Sequence, residues 1–445
     1  MDTSSAIVLL PIIINLCVLW FVYRWLRCRD LRVPADDCGL WWLVYLNIYT
    51  SLPSFVWFLR GGVYGAFSPR LLRLAPTVAD VFYLQCVAAC YAIFFSVFYL
   101  AIRRKVVAPV TISTQLISGH KMFGSAIIVS FTFILGKIFA VDVNPAAAYG
   151  ESFRVMATLP IEVQQLFKIF EGLGKVSLFV FLIAILQRWP RQRFLLAIYI
   201  IGALISFDPA GSRGQLVTML FAFVLGWHML IKPISAWKWI IGGLLGFVVF
   251  ISMGVLRGLI GSGTLDNIFI LKLSNLGLGE FDQVWANAIE LLQASNQQTL
   301  LVPFNVRYGE LWSLIPSQLL PFEKTSPSIW FLDEFYPNYK MAGGGWAFGI
   351  LAQAMISGGL IGASIRGALL GWITGIIFCY YRNPRGAWWV LPAYLYFIVY
   401  SFDSIRDTAL HPLFGAIQIL LPSILGIALF SSLISNVVSF KNRTI

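Results

Sequence analysis

Residues 80–105 read DVFYLQCVAACYAIFFSVFYLAIRRK, and this stretch decides the fold class. Between Asp80 and Arg103 it carries no charged side chain. A helix needs about 20 apolar residues to cross the hydrocarbon core of a bilayer, so the stretch is long enough to span it. It ends in Arg103-Arg104-Lys105, the kind of basic flank that stays on the cytoplasmic side. The composition of the whole chain agrees. Of 445 residues, 59% are hydrophobic and 12% charged, with a mean hydropathy of +0.80. A soluble domain holds about 25% charged residues, so most of this surface faces lipid. The class is an all-α polytopic membrane protein.

Working outward, about eleven stretches qualify as spans: 5–24, 39–59, 80–102, 122–141, 169–187, 194–210, 214–231, 238–259, 346–381, 387–403 and 413–439. Short basic connections recur between them: Arg24, Arg27, Arg29 and Arg32; Arg103, Arg104 and Lys105; Arg188, Arg191 and Arg193; Lys232 and Lys238; Arg382 and Arg385; Lys441 and Arg443. The positive-inside rule makes these cytoplasmic, with the N-terminus outside and the C-terminus inside. The formal charge of +12 therefore reports topology, and membrane lipids, not nucleic acid, are the expected partner. Met1 to Ser5 lack a basic n-region, so the first span is expected to be retained. Cys17, Cys28, Cys38, Cys86, Cys90 and Cys379 fall in spans or cytoplasmic loops and imply no disulfide framework.

Two features depart from this regularity. The stretch 346–381 is too long for one crossing and contains Gly358-Gly359, which predicts a half-helix or bend before the true span. The segment 260–345 is the one long hydrophilic loop, on the outer face. The expected organisation is thus spans one to eight in 1–259, the loop in 260–345, and spans nine to eleven in 346–445. Within the loop, Phe281, Trp285, Ala288, Ile289 and Leu292 recur at helical spacing, with Glu280 and Asp282 in the first turn, where the helix dipole favours acids. In 160–171, Ile161, Val163, Leu166, Phe167 and Phe170 share part of a face. Both segments read as amphipathic helices at the outer interface, or equally as helices packed on the bundle.

With so few charges, those near the outer ends of spans carry the chemistry. Asp208 and Arg213 bracket a tight turn, and Arg257 follows near the end of the next span. Arg307 and Glu310 sit in the long loop, ahead of Ile315-Pro316-Ser317 and Leu320-Pro321-Phe322-Glu323-Lys324. Asp403, Arg406, Asp407 and His411 cluster in the last outer connection, and Arg366 lies inside an apolar stretch, where the plain alternative to function is an intramembrane partner. Arginines converging on one outer cavity suit an anionic ligand, because guanidinium matches phosphate geometry through paired hydrogen bonds. A diphosphate is the natural candidate. No phosphate-binding glycine loop is present, and no carboxylate motif for a metal, so no cofactor and no metal are expected. Asp333 and Glu334 read as a solvated pair, and His120 and His228 as structural. His411, beside Arg406 and Asp407, is placed to act as a base near neutral pH.

The order of these motifs resembles the Wzy-type oligosaccharide repeat-unit polymerases of bacterial O-antigen and enterobacterial common antigen. The residues concerned are Gly211-Ser212-Arg213, Val306-Arg307 before Ile315-Pro316-Ser317, Leu320-Pro321 followed by Lys324, Gly343-Gly344-Gly345 before the broken span, and Arg406. They cover about 205–412. Many members place an acid after the glycine run, where this chain has Trp346-Ala347-Phe348-Gly349, so Glu310 or Asp403 would take that role. The resemblance implies a membrane glycosyltransferase of GT-C-like architecture in the bacterial inner membrane, with its active face periplasmic. It implies transfer of a growing glycan from a polyprenyl (undecaprenyl) diphosphate carrier to the non-reducing end of a lipid-linked oligosaccharide repeat unit. A polysaccharide chain-length regulator is the partner it suggests. Arg213, Arg307 and Arg406, helped by Lys324 and Arg257, would hold the leaving diphosphate. The base would be His411, ranked above Asp403 and Glu310. An O-antigen ligase would use the same donor, with lipid A-core as acceptor. A flippase or transporter predicts paired halves with midplane charges, whereas these charges gather at one end.

Overall fold

The computed structural model describes residues 3–29, 34–62, 69–104, 116–140, 161–188, 194–197, 199, 213–246, 248, 278, 280–298, 300–312, 315, 319–338, 347–382, 387–410 and 415–441. Among them there is no strand, and every regular element is helical. Five helices are long and apolar enough to cross a membrane: Ala6–Arg29, Cys38–Leu59, Val78–Arg103, Gly359–Tyr381 and Ile417–Ile434. Two shorter apolar helices cover Gly172–Gln187 and Val217–Leu230. Most of the expected spans 194–210 and 238–259 lie outside the described residues. The chain forms two interleaved units, one of 1–107, 251–379 and 401–412, the other of 108–250, 380–400 and 413–445.

In the first unit, α1 (Leu9–Arg29), α2 (Cys38–Leu59) and α4 (Val78–Arg103) pack on one another, with the short α3 (Pro69–Leu74) between the last two. Their basic ends converge. Asp37 caps α2 by accepting the Leu40 N–H at 2.9 Å, and it also accepts from Tyr99 Oη at 2.7 Å and Arg103 Nε at 3.1 Å. Arg103 lies over the rings of Phe378, at 4.4 Å, and Trp25, at 5.3 Å. A buried ion pair thus ties the C-terminal ends of α1 and α4 to the start of α2, and it brings in the Phe378 end of the later span Gly359–Tyr381. This is the alternation that the basic connections predict. Between α2 and α4 and within α2, buried polar groups bond one another. Gln85 Nε2 donates to Ser54 Oγ at 2.7 Å and the Thr50 carbonyl at 2.9 Å, and Ser51 donates to Asn47 Oδ1 at 3.0 Å. In lipid such bonds average about 0.6 kcal/mol, so packing of small residues must add to them.

The second unit contains α5 (Gly119–Ala140), α6 (Ile161–Gln187) and, after them, α7 (Arg213–Leu230). Helix α6 corrects one expectation: residues 161–171 are not a separate interfacial helix but the first turns of one unbroken helix. No proline lies between Ile161 and Gln187, and Gly172 permits close approach to Ile419, so nothing stops the helix there. Its far end is fastened where Arg188 Nη2 donates to the Ile117 carbonyl at 3.0 Å and the Ile117 N–H donates to Gln187 Oε1 at 2.9 Å. Phe179 meets Tyr396 edge-on at 5.5 Å, and Tyr381 stacks on Tyr394 at 3.7 Å.

The first unit continues with α8 (Glu280–Asn296), α9 (Phe304–Arg307), α10 (Gly309–Trp312) and α11 (Pro327–Phe335). Of the two readings open for α8, the structure selects packing. Phe281, Trp285, Ala288, Ile289 and Leu292 are all buried, Trp285 Nε1 donates to Ser54 Oγ at 3.0 Å, and Tyr49 meets Phe281 edge-on at 4.7 Å. Next comes the expected break: α12 (Ile350–Ile356) is a buried half-helix, and α13 (Gly359–Tyr381) is the true span. Gly358 and Gly359 take φ values of +105° and +59°, a left-handed geometry that only glycine adopts without strain. On α13, side chains at Gly367 and Gly371 would strike the Tyr91 and Phe95 carbonyls of α4, so these small residues set that close crossing. The chain ends through α14 (Val390–Tyr400) of the second unit, α15 (Asp403–Arg406) of the first, and α16 (Leu421–Lys441), which a π-helical turn at Gly415–Leu420 precedes.

Candidate functional site

The half-helix α12 is where the loop, the broken span and the last connection meet. It begins at Gly349, whose φ is +94° and where any side chain would run into Val284 of α8. The turn before it is held by Asn287 Nδ2, which donates to the carbonyls of Ala347 at 2.8 Å and Phe348 at 3.1 Å. Helix α12 packs on α4, α8 and α15, and its one strongly polar side chain, Gln353, is fully buried. Gln353 Nε2 reaches the carbonyl of Arg307 at 3.4 Å.

From the loop side, α10 carries Glu310 to Arg366 of α13, and the two side chains form a buried ion pair through Arg366 Nε and Glu310 Oε1. Glu310 also accepts the backbone N–H of Leu410 in the last connection. Burial pushes the Glu310 carboxyl up from its usual range, while the Arg366 guanidinium and the Leu410 N–H pull the other way. The plain alternative for Arg366, an intramembrane partner, is therefore met, and the partner is itself a sequence-predicted site residue. An uncompensated charge at this depth would be costly, which is why the two residues occur as a bonded pair.

The other predicted residues are placed unevenly. Arg307 closes α9 with its side chain exposed, and Lys324 donates to the Ile315 carbonyl. Arg406 and Asp403 form a partly exposed pair at 3.8 Å on α15. That helix is anchored by Trp42 Nε1, which donates to Ser404 Oγ at 2.8 Å. Arg213 opens α7 in the second unit. Arg257, His411 and Asp208 lie outside the described residues. Asp333 and Glu334 are exposed. His228 is buried and accepts the Ile234 N–H at 2.8 Å, as befits a structural histidine, whereas His120 is exposed. Among the described residues no three His, Cys, Asp or Glu side chains are grouped to hold a metal.

Sequence reasoning missed a second charged cluster. Arg70 Nη1 donates to Asn287 Oδ1 at 2.6 Å and Arg70 Nε to Tyr336 Oη at 2.9 Å, and its Nη2 bonds Glu290. Arg73 donates to Tyr336 Oη at 2.6 Å, and Tyr336 donates to Glu290 at 2.7 Å. Through Asn287 the cluster braces the turn that leads into α12. Its signal was faint but present: two arginines three apart on a short helix between spans, and one acid inside the loop's amphipathic helix. Asp282 was read as a first-turn acid. It accepts the Leu278 N–H at 2.6 Å, and burial raises its pKa to about 6, against the pull of that N–H and the Arg60 charge. Compared with known proteins, the chain matches no family model, no curated protein and no solved structure.

Proposed function

We propose that the protein is a membrane glycosyltransferase, a repeat-unit polymerase of surface polysaccharide. It takes a glycan from its polyprenyl diphosphate carrier and attaches it to the non-reducing end of a lipid-linked repeat unit. One observation carries this reading: the segments bearing Arg307, Glu310, Arg366 and Asp403–Arg406 come together around the half-helix α12. In the reaction, the bond from the anomeric carbon to the phosphate oxygen breaks and a bond to the acceptor hydroxyl oxygen forms. A base takes the hydroxyl proton, and the diphosphate leaves with its electron pair. Preorganised cations in a water-poor site stabilise that charge, and each such donor is worth about 2.7–4 kcal/mol.

Arg307, exposed, and Arg406, partly exposed, are the proposed diphosphate ligands, with Arg213, Arg257 and Lys324 assisting. His411 is the proposed base, ahead of Asp403. Glu310 is third, since its carboxylate is already engaged by Arg366 and Leu410. The full reading includes about eleven spans in a GT-C-like arrangement, an inner-membrane location with a periplasmic active face, and a chain-length regulator as partner.

The test is deletion in the source bacterium, with surface glycolipids separated by size. A ladder collapsed to lipid A-core bearing one repeat unit is the expected result. Full-length polymer left on its lipid carrier would mean a ligase, and an unchanged ladder would remove the glycosyltransferase reading altogether. In the complemented strain, Arg307→Ala is expected to insert normally and make no polymer.

A further inference from the structure

The Glu310–Arg366 pair fixes the depth of part of the long loop. On α13 the basic end of the bundle is marked by Phe378, on which Arg103 of the Asp37–Arg103 pair rests. At 1.5 Å rise per residue, Arg366 lies about 18 Å along the helix from Phe378. The hydrocarbon core is about 30 Å thick, so Arg366, and with it Glu310, sits inside that thickness, below its far boundary. Helix α10, and α9 just before it, are thereby held beside a span at a depth where side chains facing outward meet lipid. The exposed side chains fit that depth. Leu301 is 87% exposed, Phe304 63% and Leu311 42%, in a chain segment that the sequence places in a hydrophilic loop. On α13, Ile365 beside Arg366 and Ile361 about one turn beyond it are also exposed, 64% and 72%. Arg307, exposed between Phe304 and Tyr308, supplies the cation that such interfacial segments direct at lipid headgroups.

We infer that residues 301–312, α9 and α10 with the three residues before them, form a lipid-facing element of the bilayer, in which Leu301, Phe304 and Leu311 contact the acyl chains of the leaflet away from the basic end. Its backbone is largely helical, which suits this environment, because hydrocarbon offers no partner for a free N–H or carbonyl. The inference does not depend on the polymerase reading. A bilayer element here would hold the loop, and with it Arg307, at headgroup level.

The experiment is site-directed spin labelling of the full chain, reconstituted in phosphatidylethanolamine–phosphatidylglycerol vesicles, with the six native cysteines replaced by alanine. Nitroxides go at Leu301→Cys, Phe304→Cys and Leu311→Cys, with Trp20→Cys as the lipid reference and Glu334→Cys, exposed on α11, as the water reference. Collision with oxygen should exceed collision with a nickel chelate at the three loop sites, as at position 20. Preference for the nickel chelate, as at position 334, would overturn the inference by placing the segment in water. Low collision with both reagents would overturn it too, because protein would then cover the patch. If the cysteine-free chain does not fold, a benzophenone amino acid at position 304 of the native-cysteine chain gives the second reading. Photoadducts with phosphatidylglycerol are expected, and their absence would overturn the inference.

Discussion

Two buried ion pairs stand along the same span, and they are built differently. At the basic end, Asp37 serves three donors at once: the Leu40 N–H it caps, the Tyr99 hydroxyl and Arg103. Arg103 is further sandwiched by Phe378 and Trp25. Every member there belongs to the framework of packed helices. About 18 Å further along α13, Glu310 and Arg366 join a span to a loop, with one backbone N–H from a third segment. The first pair is a staple whose charges are covered from several sides. The second couples a loop helix to a span, and of the arginines predicted to bind anion Arg307 stands three residues from Glu310 in the chain. Buried ion pairs contribute little net stability over well-packed apolar residues, so a pair kept at the second place is more readily explained by what it positions than by what it stabilises.

The largest expected effects test that contrast directly. Arg366→Leu strands the Glu310 carboxylate and should cost about 3–5 kcal/mol, as loss of one partner of a buried pair does. Glu310→Leu combined with Arg366→Leu should recover most of that loss in thermal unfolding in detergent. Asp37→Leu with Arg103→Leu should show no such recovery, because Tyr99 and the cap of α2 are left without their acceptor. Equal recovery in both double variants would erase the distinction.

Asp282 offers a third buried acid, held by a backbone N–H with Arg60 as a nearby charge. Its folded pKa of about 6 lies above the ordinary 3.8, so the folded state keeps a proton that the unfolded chain has released. Stability from this group is full below about pH 4 and is lost as pH rises through 6, about 3 kcal/mol in all. Asp282→Asn should raise the melting temperature at pH 8 and leave it unchanged at pH 4. Identical curves for the two proteins at pH 8 would show that the carboxyl is not strained by burial.

The smallest effect belongs to the cluster around Glu290. Arg73 is 63% exposed, so Arg73→Ala should cost no more than about 1 kcal/mol. Arg70→Ala, which unbinds Asn287 and Tyr336 inside the protein, should cost more and should also loosen the turn at Ala347–Phe348. Equal costs for both would mean that the cluster is a surface network only.

Much of the framework was legible because membrane insertion leaves a coarse signature. Apolar runs of fixed length, basic flanks and the Gly358-Gly359 break are local properties of the chain, and the described helices Cys38–Leu59, Val78–Arg103 and Gly359–Tyr381 follow them within a few residues. Less of the site could be read. Glu310 and Arg366 were each singled out by rarity, yet nothing local says that a loop acid reaches a span arginine 56 residues on. The Arg70–Glu290–Tyr336 cluster was missed for the same reason, its members being ordinary surface residue types that become informative only when buried together. Periodicity marked the apolar face of α8, but it could not choose between lipid and protein as the surface that covers it.

The sequence by itself thus pointed to the solvent: 12% charge in 445 residues, with apolar runs of helix-spanning length, suits helices embedded in a membrane, whatever their topology. It also marked where a helix can break, because the positive φ found at Gly358 and Gly359 is open to glycine without strain. Only the tertiary structure decided which charges are partners and at what depth they lie. Pairing in a low-dielectric interior depends on distances of a few ångströms between segments remote in the chain, and hydropathy carries no record of those distances.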